Sequence, residues 1–368
     1  MHEVVDSLVQ EVDSPPRGPF TFFEPQEPGY SLFPTDAMGL GDVCALARDQ
    51  MGCRLLQKRL EEGNRLLSQY IFAEVLPQLA DLMTDTFGNY LVQKLLEVAS
   101  PAQLRLACET VSNLLPSIAL DVHGTRAVQR LVDVAAAQGL AYLLTAGLRN
   151  NVVDLAKDQN GNHVIQRCLV SFPPEDREFI YQVVSERLVE VATHRQGCCV
   201  LQRCLDAAAV EKKMFLIDRI LENVVVLVQD AFGNYVVQYV LDLGIEDVNL
   251  RLAQVFTSRL LDLSRQKFSS NVVEKCLQQA QPEARDLLLR EMCSQRLLGP
   301  MLQDQFANYG KDQAVVQRAL TLATGGIREQ LLRVGPMQNI RPVLDSLKRT
   351  QLGRRIQAKL VKKYPELA

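Results

Sequence analysis

The chain has 368 residues, 47% of them hydrophobic and 23% charged, with a formal net charge of −3, which is the composition of a folded protein and not of a disordered one. Apolar runs are short, Val224 to Val228 being among the longest, and Glu3, Asp6, Glu11 and Asp13 stand where a signal or transit peptide needs basic or apolar residues, so neither a membrane span nor secretion is expected. Nine cysteines without a CxxC spacing give no zinc ribbon and no disulfide framework, and we expect a reducing, cytoplasmic setting and neither metal nor cofactor.

The net charge hides an asymmetry. Residues 1–40 hold seven acidic residues against Arg17 alone, together with six prolines and Phe20, Phe22, Phe23, Tyr30 and Phe33. We expect 1–40 to be a mostly extended acidic arm. The remainder, 41–368, carries 39 basic and 36 acidic residues.

From residue 41 one pattern recurs: MGCRLLQK at 51–58, FGNYLVQK at 87–94, HGTRAVQR at 123–130, NGNHVIQR at 160–167, QGCCVLQR at 196–203, FGNYVVQY at 232–239 and FSSNVVEK at 268–275. Its closing polar residue falls at Gln57, Gln93, Gln129, Gln166, Gln202, Gln238 and Glu274, always 36 or 37 residues apart. Such a period means a solenoid of stacked units, each completing its core against its neighbours. Between copies the text reads as helix. Pro101 to Ala119 places Leu104, Ala107, Cys108, Val111, Leu114 and Leu115 at helical intervals, and Pro101 suits a first turn. The β-branched run Val224 to Val228 is ambiguous alone, but it occupies the position of a helix in the other copies, so the fold class is all-α.

An eighth copy begins with QFANY at 305–309 and then breaks. One register keeps Asn308 and Tyr309 and puts Asp312 where Gln belongs; the other keeps Gln317 and puts Gln313 and Ala314 where the leading pair belongs. The repeats therefore span 41–325. Residues 326–368 follow with ten basic and three acidic residues and helical patterning from Arg341 to Leu360, as befits a basic terminal cap.

Within the copy at 87–94, Asn89, Tyr90 and Gln93 fall within about a 100° arc of a helix while Leu91, Val92 and Leu95 project from the other side. The aliphatic set supplies a core; the polar set, with no core role, faces solvent or a ligand. Asn and Gln one turn apart offer donors and acceptors in a fixed fork, and the residue beside the first is usually a flat side chain able to stack. Repeated along one surface, these groups form a ladder for flat hydrogen-bonding rings such as the bases of single-stranded RNA.

Over 41–368 these copies make the chain similar to the Pumilio (PUF) family of RNA-binding proteins. The resemblance implies a right-handed α-solenoid of eight three-helix repeats with a C-terminal capping repeat, reading one base per repeat antiparallel to the RNA. It implies that the first and last members of each triplet contact the base edge and that the middle member stacks. Carried over, Cys53, Arg54 and Gln57 read adenine; Asn89, Tyr90 and Gln93 uracil; Thr125, Arg126 and Gln129 adenine; Asn162, His163 and Gln166 uracil. Cys198, Cys199 and Gln202 read adenine, Asn234, Tyr235 and Gln238 uracil, and Ser270, Asn271 and Glu274 guanine, whose N1–H and N2–H suit a carboxylate. With uracil at repeat eight (Asn308, Tyr309, Gln317), the implied element is 5′-UGUAUAUA-3′ in messenger 3′ untranslated regions. Repressor or deadenylase-complex proteins are the implied partners of a monomer acting in translational repression and mRNA decay, with no role for a membrane.

Other readings stand beside this one. The cations after the triplet (Lys58, Lys94, Arg130, Arg167, Arg203, Lys275) are either solvated charges or phosphate contacts. The vicinal Cys198 and Cys199 have a redox reading, against which the first is explained as a small edge reader. His123 and His163 lack a nucleophile motif beside them, and no catalytic constellation emerges, so we expect no enzyme. The alternative is a protein-binding scaffold of armadillo or HEAT type. It would not need triplets whose order spells one element.

Overall fold

The computed structural model describes residues 42–292, with Ser294, Leu322, Arg354, Ala358, Val361 and Lys362. The arm 1–40, the eighth copy with Asn308, Tyr309 and Gln317, and nearly all of the cap at 326–368 lie outside the described residues. Among the described residues there are helices and no strands.

Each of the seven described repeats is three helices. In the second repeat these are Leu79–Thr84, Gly88–Val98 and Pro101–Val111, and the set recurs through Leu260–Arg265, Ser269–Gln279 and Pro282–Met292 in the seventh. Each second helix packs on the second helices before and after it, and Val43 through Met292 contribute to one continuous core. On the second helix of repeat two, Leu91, Val92 and Leu95 are buried as the periodicity predicts, each buried aliphatic contributing about 1.5–3 kcal/mol. Val224–Gln229 is a helix, so position in the repeat overrides the β-preference of its valines.

One predicted segment divides. Pro101 to Ala119 becomes a helix to Val111, a 3-10 turn at Ser112–Leu114 and a new helix at Leu115–Leu120. Pro116 opens the new helix. Lacking an N–H and clashing with the preceding turn, it cannot continue the old one, and Leu114, which the periodicity placed in the core, is exposed. At the start, Ser100 and Gln103 form a reciprocal capping box ahead of Pro101.

The first and second helices of a repeat cross so closely that six of the seven described second helices have glycine at the crossing. A Cβ at Gly124 would lie 2.3 Å from the Ile118 carbonyl oxygen, and one at Gly197 would lie 2.2 Å from that of Val191. Repeat seven has Ser269 instead, and its hydroxyl donates to the equivalent Leu263 carbonyl at 2.7 Å.

Candidate nucleic-acid interface

The turn that opens each second helix is held by an aspartate four residues before the triplet. Asp85 Oδ1 accepts the main-chain N–H of Phe87 at 2.9 Å and of Gly88 at 2.7 Å. Asp121, Asp158 and Asp230 do the same in their repeats, Asp49 accepts from Gly52, and Gln266 Oε1 substitutes in repeat seven. Repeat five has His194, whose Nδ1 is buried with no hydrogen-bond partner. Burial, and then the charge of Lys157, hold its pKa below the usual histidine value. The sequence reading passed over this position, although its aspartates recur with the same period as the triplets.

The first triplet members are not on an open face. Cys53, Asn89, Thr125, Asn162, Cys198, Asn234 and Ser270 are all buried, and every one donates to a main-chain carbonyl. Asn89 Nδ2 donates to Asp85 O at 2.8 Å and Thr86 O at 3.1 Å, and Asn162 and Asn234 repeat the arrangement. Cys198 donates to Arg195 O at 3.1 Å and Ser270 to Lys267 O at 3.3 Å. Two reach into the following repeat: Cys53 to Phe87 O at 3.1 Å and Thr125 to Asn160 O at 3.0 Å. This corrects the expectation that the polar set has no core role. The tight entry into the helix brings loop carbonyls over the first member, and a buried carbonyl needs a donor.

The closing members are oriented by the first. Gln93 donates to Asn89 Oδ1 at 3.1 Å, and Gln166 and Gln238 donate to Asn162 and Asn234 at 2.8 Å. Gln129 donates to Thr125 Oγ1 and Gln57 to the Cys53 sulfur, both at 3.2 Å. One amide hydrogen is thereby fixed, and an amide retains a second hydrogen and its oxygen for a ligand. Glu274 accepts from Gln278 at 2.9 Å. Gln202 is half-buried above Cys198.

Among the middle members, Arg54, Tyr90, Arg126 and Tyr235 are exposed, and His163, Cys199 and Asn271 are half-buried. Burial first, and then the charge of Arg126, push the His163 pKa down, which favours a neutral, flat ring at neutral pH. The Cys199 pKa is drawn down by its contact with the Cys198 thiol, against burial and with help from Arg195, while that of Cys198 is pushed up by that contact and by burial.

The cations after the triplet resolve into a ladder between repeats. Lys94 pairs with Glu61 at 3.1 Å, Arg130 with Glu97 at 3.4 Å and Arg167 with Asp133 at 3.6 Å. Lys275 pairs with Asp242, and in repeat six the Tyr239 hydroxyl donates to Asp206. Each acid stands four residues after the closing member of the preceding repeat. Lys94, Arg130, Arg167 and Lys275 thus tie neighbouring second helices together, a third reading that sequence did not separate from solvation or phosphate contact. Among the described residues, no cluster of metal-ligating side chains occurs, and no helix is long and apolar enough to cross a membrane.

A family model described as a Pumilio-family RNA binding repeat matches residues 42–76, 78–109, 116–140, 151–185, 187–221, 223–253, 259–293 and 315–334. The last segment takes in Gln317 but neither Asn308 nor Tyr309. A Pumilio domain-containing protein of Schizosaccharomyces pombe is 42% identical over 324 residues, covering 88% of this chain and 46% of the relative. The chain spans about half the length of the curated relatives it matches. Among solved structures, the Puf4 RNA-binding domain bound to the HO endonuclease RNA 3′ UTR recognition sequence is similar with a TM-score of 0.73 and 35% identity, covering 85% of this chain and 96% of that one. The RNA-binding domain of yeast Puf5p bound to SMX2 RNA gives a TM-score of 0.75 and 29% identity, covering 89% and 97%.

Proposed function

The chain belongs to the Pumilio family of RNA-binding repeat proteins, and on that premise we propose that its second helices bind single-stranded RNA sequence-specifically, one base per repeat. The observation that carries this reading is the order of triplets along one row of packed helices, with Gln57, Gln93, Gln129, Gln166 and Gln238 each tethered by one hydrogen and left with acceptor and donor for a base edge. The solved relatives in complex with RNA support the ligand class.

The preferred element is 5′-UGUAUAUA-3′, with guanine at its second position opposite Glu274. In messenger 3′ untranslated regions this binding serves translational repression and mRNA decay through recruited protein partners. A protein-binding scaffold accounts for the helical stack, but not for the alternation of Asn with Cys and Thr beside Gln, nor for Ser beside Glu.

The test is fluorescence anisotropy with labelled 5′-UGUAUAUA-3′ and the same oligomer with UGU changed to ACA, at one fixed salt concentration, since salt alone changes such affinities greatly. A preference of about a hundredfold, near 2.7 kcal/mol, is expected. Equal weak binding of both would overturn the reading.

A further inference from the structure

Repeat five departs from its neighbours at two places on and beside one helix. Its stacking position is Cys199, which has neither ring nor guanidinium. Its post-triplet cation is Arg203, and the position where the preceding repeat should supply an acid is Val170, an exposed residue. Glu61, Glu97, Asp133, Asp206 and Asp242 occupy that position in the other repeats of the ladder. Among the described residues, the ion pair of Arg203 is with Asp206 on its own helix at 3.6 Å. Asp206 also accepts the Tyr239 hydroxyl. An exposed pair between residues three apart holds an arginine weakly.

Arg203 is thus a ladder cation without a rung, and it stands four residues after the vacant stacking position. Residues so spaced are neighbours on a helix face, and helical side chains lean toward the N-terminus. The guanidinium of Arg203 rests beside Asp206, and opening that weak pair lets it swing to the turn that carries Cys199. A guanidinium is planar and stacks on aromatic rings.

We propose that Arg203 supplies the stacking cation that repeat five lacks, packing its guanidinium against the base read by Cys198 and Gln202. Its release from the inter-repeat ladder by Val170 is what makes this reach available. This rests on the RNA-reading function above and assigns that function a residue outside the triplets.

The test uses the full chain and two labelled oligomers, 5′-UGUAUAUA-3′ and the same RNA abasic at its fourth nucleotide, which faces repeat five. Arg203→Ala should weaken binding to the intact oligomer about tenfold, the size of one base–cation stack, and to the abasic one less than twofold. Val170→Asp keeps Arg203 but restores the rung; it should lower affinity for the intact oligomer about fivefold without lowering the melting temperature. Arg167→Ala, removing a tied cation, should change both oligomers by the same factor. Equal losses on both oligomers for Arg203→Ala would make it a phosphate contact and overturn the proposal, as would unaltered affinity in Val170→Asp, or the oligomer-dependent loss appearing in Arg195→Ala instead. Failure of the underlying function looks different: the wild-type chain would not distinguish UGU from ACA.

Discussion

Replacing Asn162 by alanine separates a buried strut from a surface base-reader. Asn162 is 4% exposed; it donates to the Asp158 and Gln159 carbonyls, both at 2.8 Å, and accepts from Gln166 at 2.8 Å. Alanine removes both donors and leaves two turn carbonyls short of a partner. At about 1 kcal/mol net per buried bond, and more where an acceptor stays unsatisfied, the cost is about 2–3 kcal/mol. Because solenoid repeats couple mainly to their neighbours, the loss should appear first at this turn, as amide exchange roughly 30- to 150-fold faster over residues 161–166. Gln166→Ala leaves both carbonyl bonds intact, so its exchange should stay within about threefold of wild type, while its RNA affinity falls by about 1–3 kcal/mol. If Asn162→Ala exchanged like wild type, the strut assignment would be wrong and the open-face reading would return.

Three further outcomes follow from the structure. His194→Asp gives repeat five the turn cap its neighbours have, removes a buried nitrogen without a partner and places a carboxylate near Lys157; a gain of about 1 kcal/mol in denaturant unfolding is expected, and a loss would refute the cap argument. Ser270→Asn combined with Asn271→Tyr and Glu274→Gln should move the preferred second base from guanine to uracil, whereas persistent guanine preference in a competition assay would sink the assignment of repeat seven. Among the described cysteines, Cys199 alone is not fully buried, so iodoacetamide should label it first, read by peptide mass spectrometry. Its thiolate is the reactive form, and the Cys198 contact lowers its pKa, so labelling should accelerate with rising pH at lower pH than for an ordinary thiol, and bound RNA should protect it. Prior labelling of Cys108 or Cys168 would contradict the burial that raises both.

The period, the helical class and the helical placement of the first seven triplets were legible in the sequence, because a solenoid writes its architecture as repetition and Leu91, Val92 and Leu95 mark the core side directly. The depth of Asn89 and its counterparts was not. A polar residue on a helix reads as exposed, and only the close entry at the preceding glycine reveals that loop carbonyls lie over it. The 3-10 break at Ser112–Leu114 hid beneath an apolar period that runs through it unbroken, although Pro116 marked the interruption. The ladder from Glu61–Lys94 to Asp242–Lys275 joins residues 33 to 34 apart, a partnership that single-helix patterns do not contain. The capping aspartates recur at the repeat period, and His194 breaks their series in repeat five.

Asn, Ser, Thr and Cys look like an arbitrary set when viewed as readers of different bases, yet all are small hydrogen-bond donors that satisfy a carbonyl beneath the surface. That shared duty restricts the alphabet from which a reading position can be drawn. A repeat cannot drift to a new preference through a large or purely accepting side chain, because its turn would lose a partner before its specificity changed. Exchanges within the set carry unequal costs, since Asn supplies two donors to its own turn while Cys53 and Thr125 each supply one to the next repeat. Selectivity and foldability are inherited together at these seven positions, and neighbouring repeats constrain one another's vocabulary.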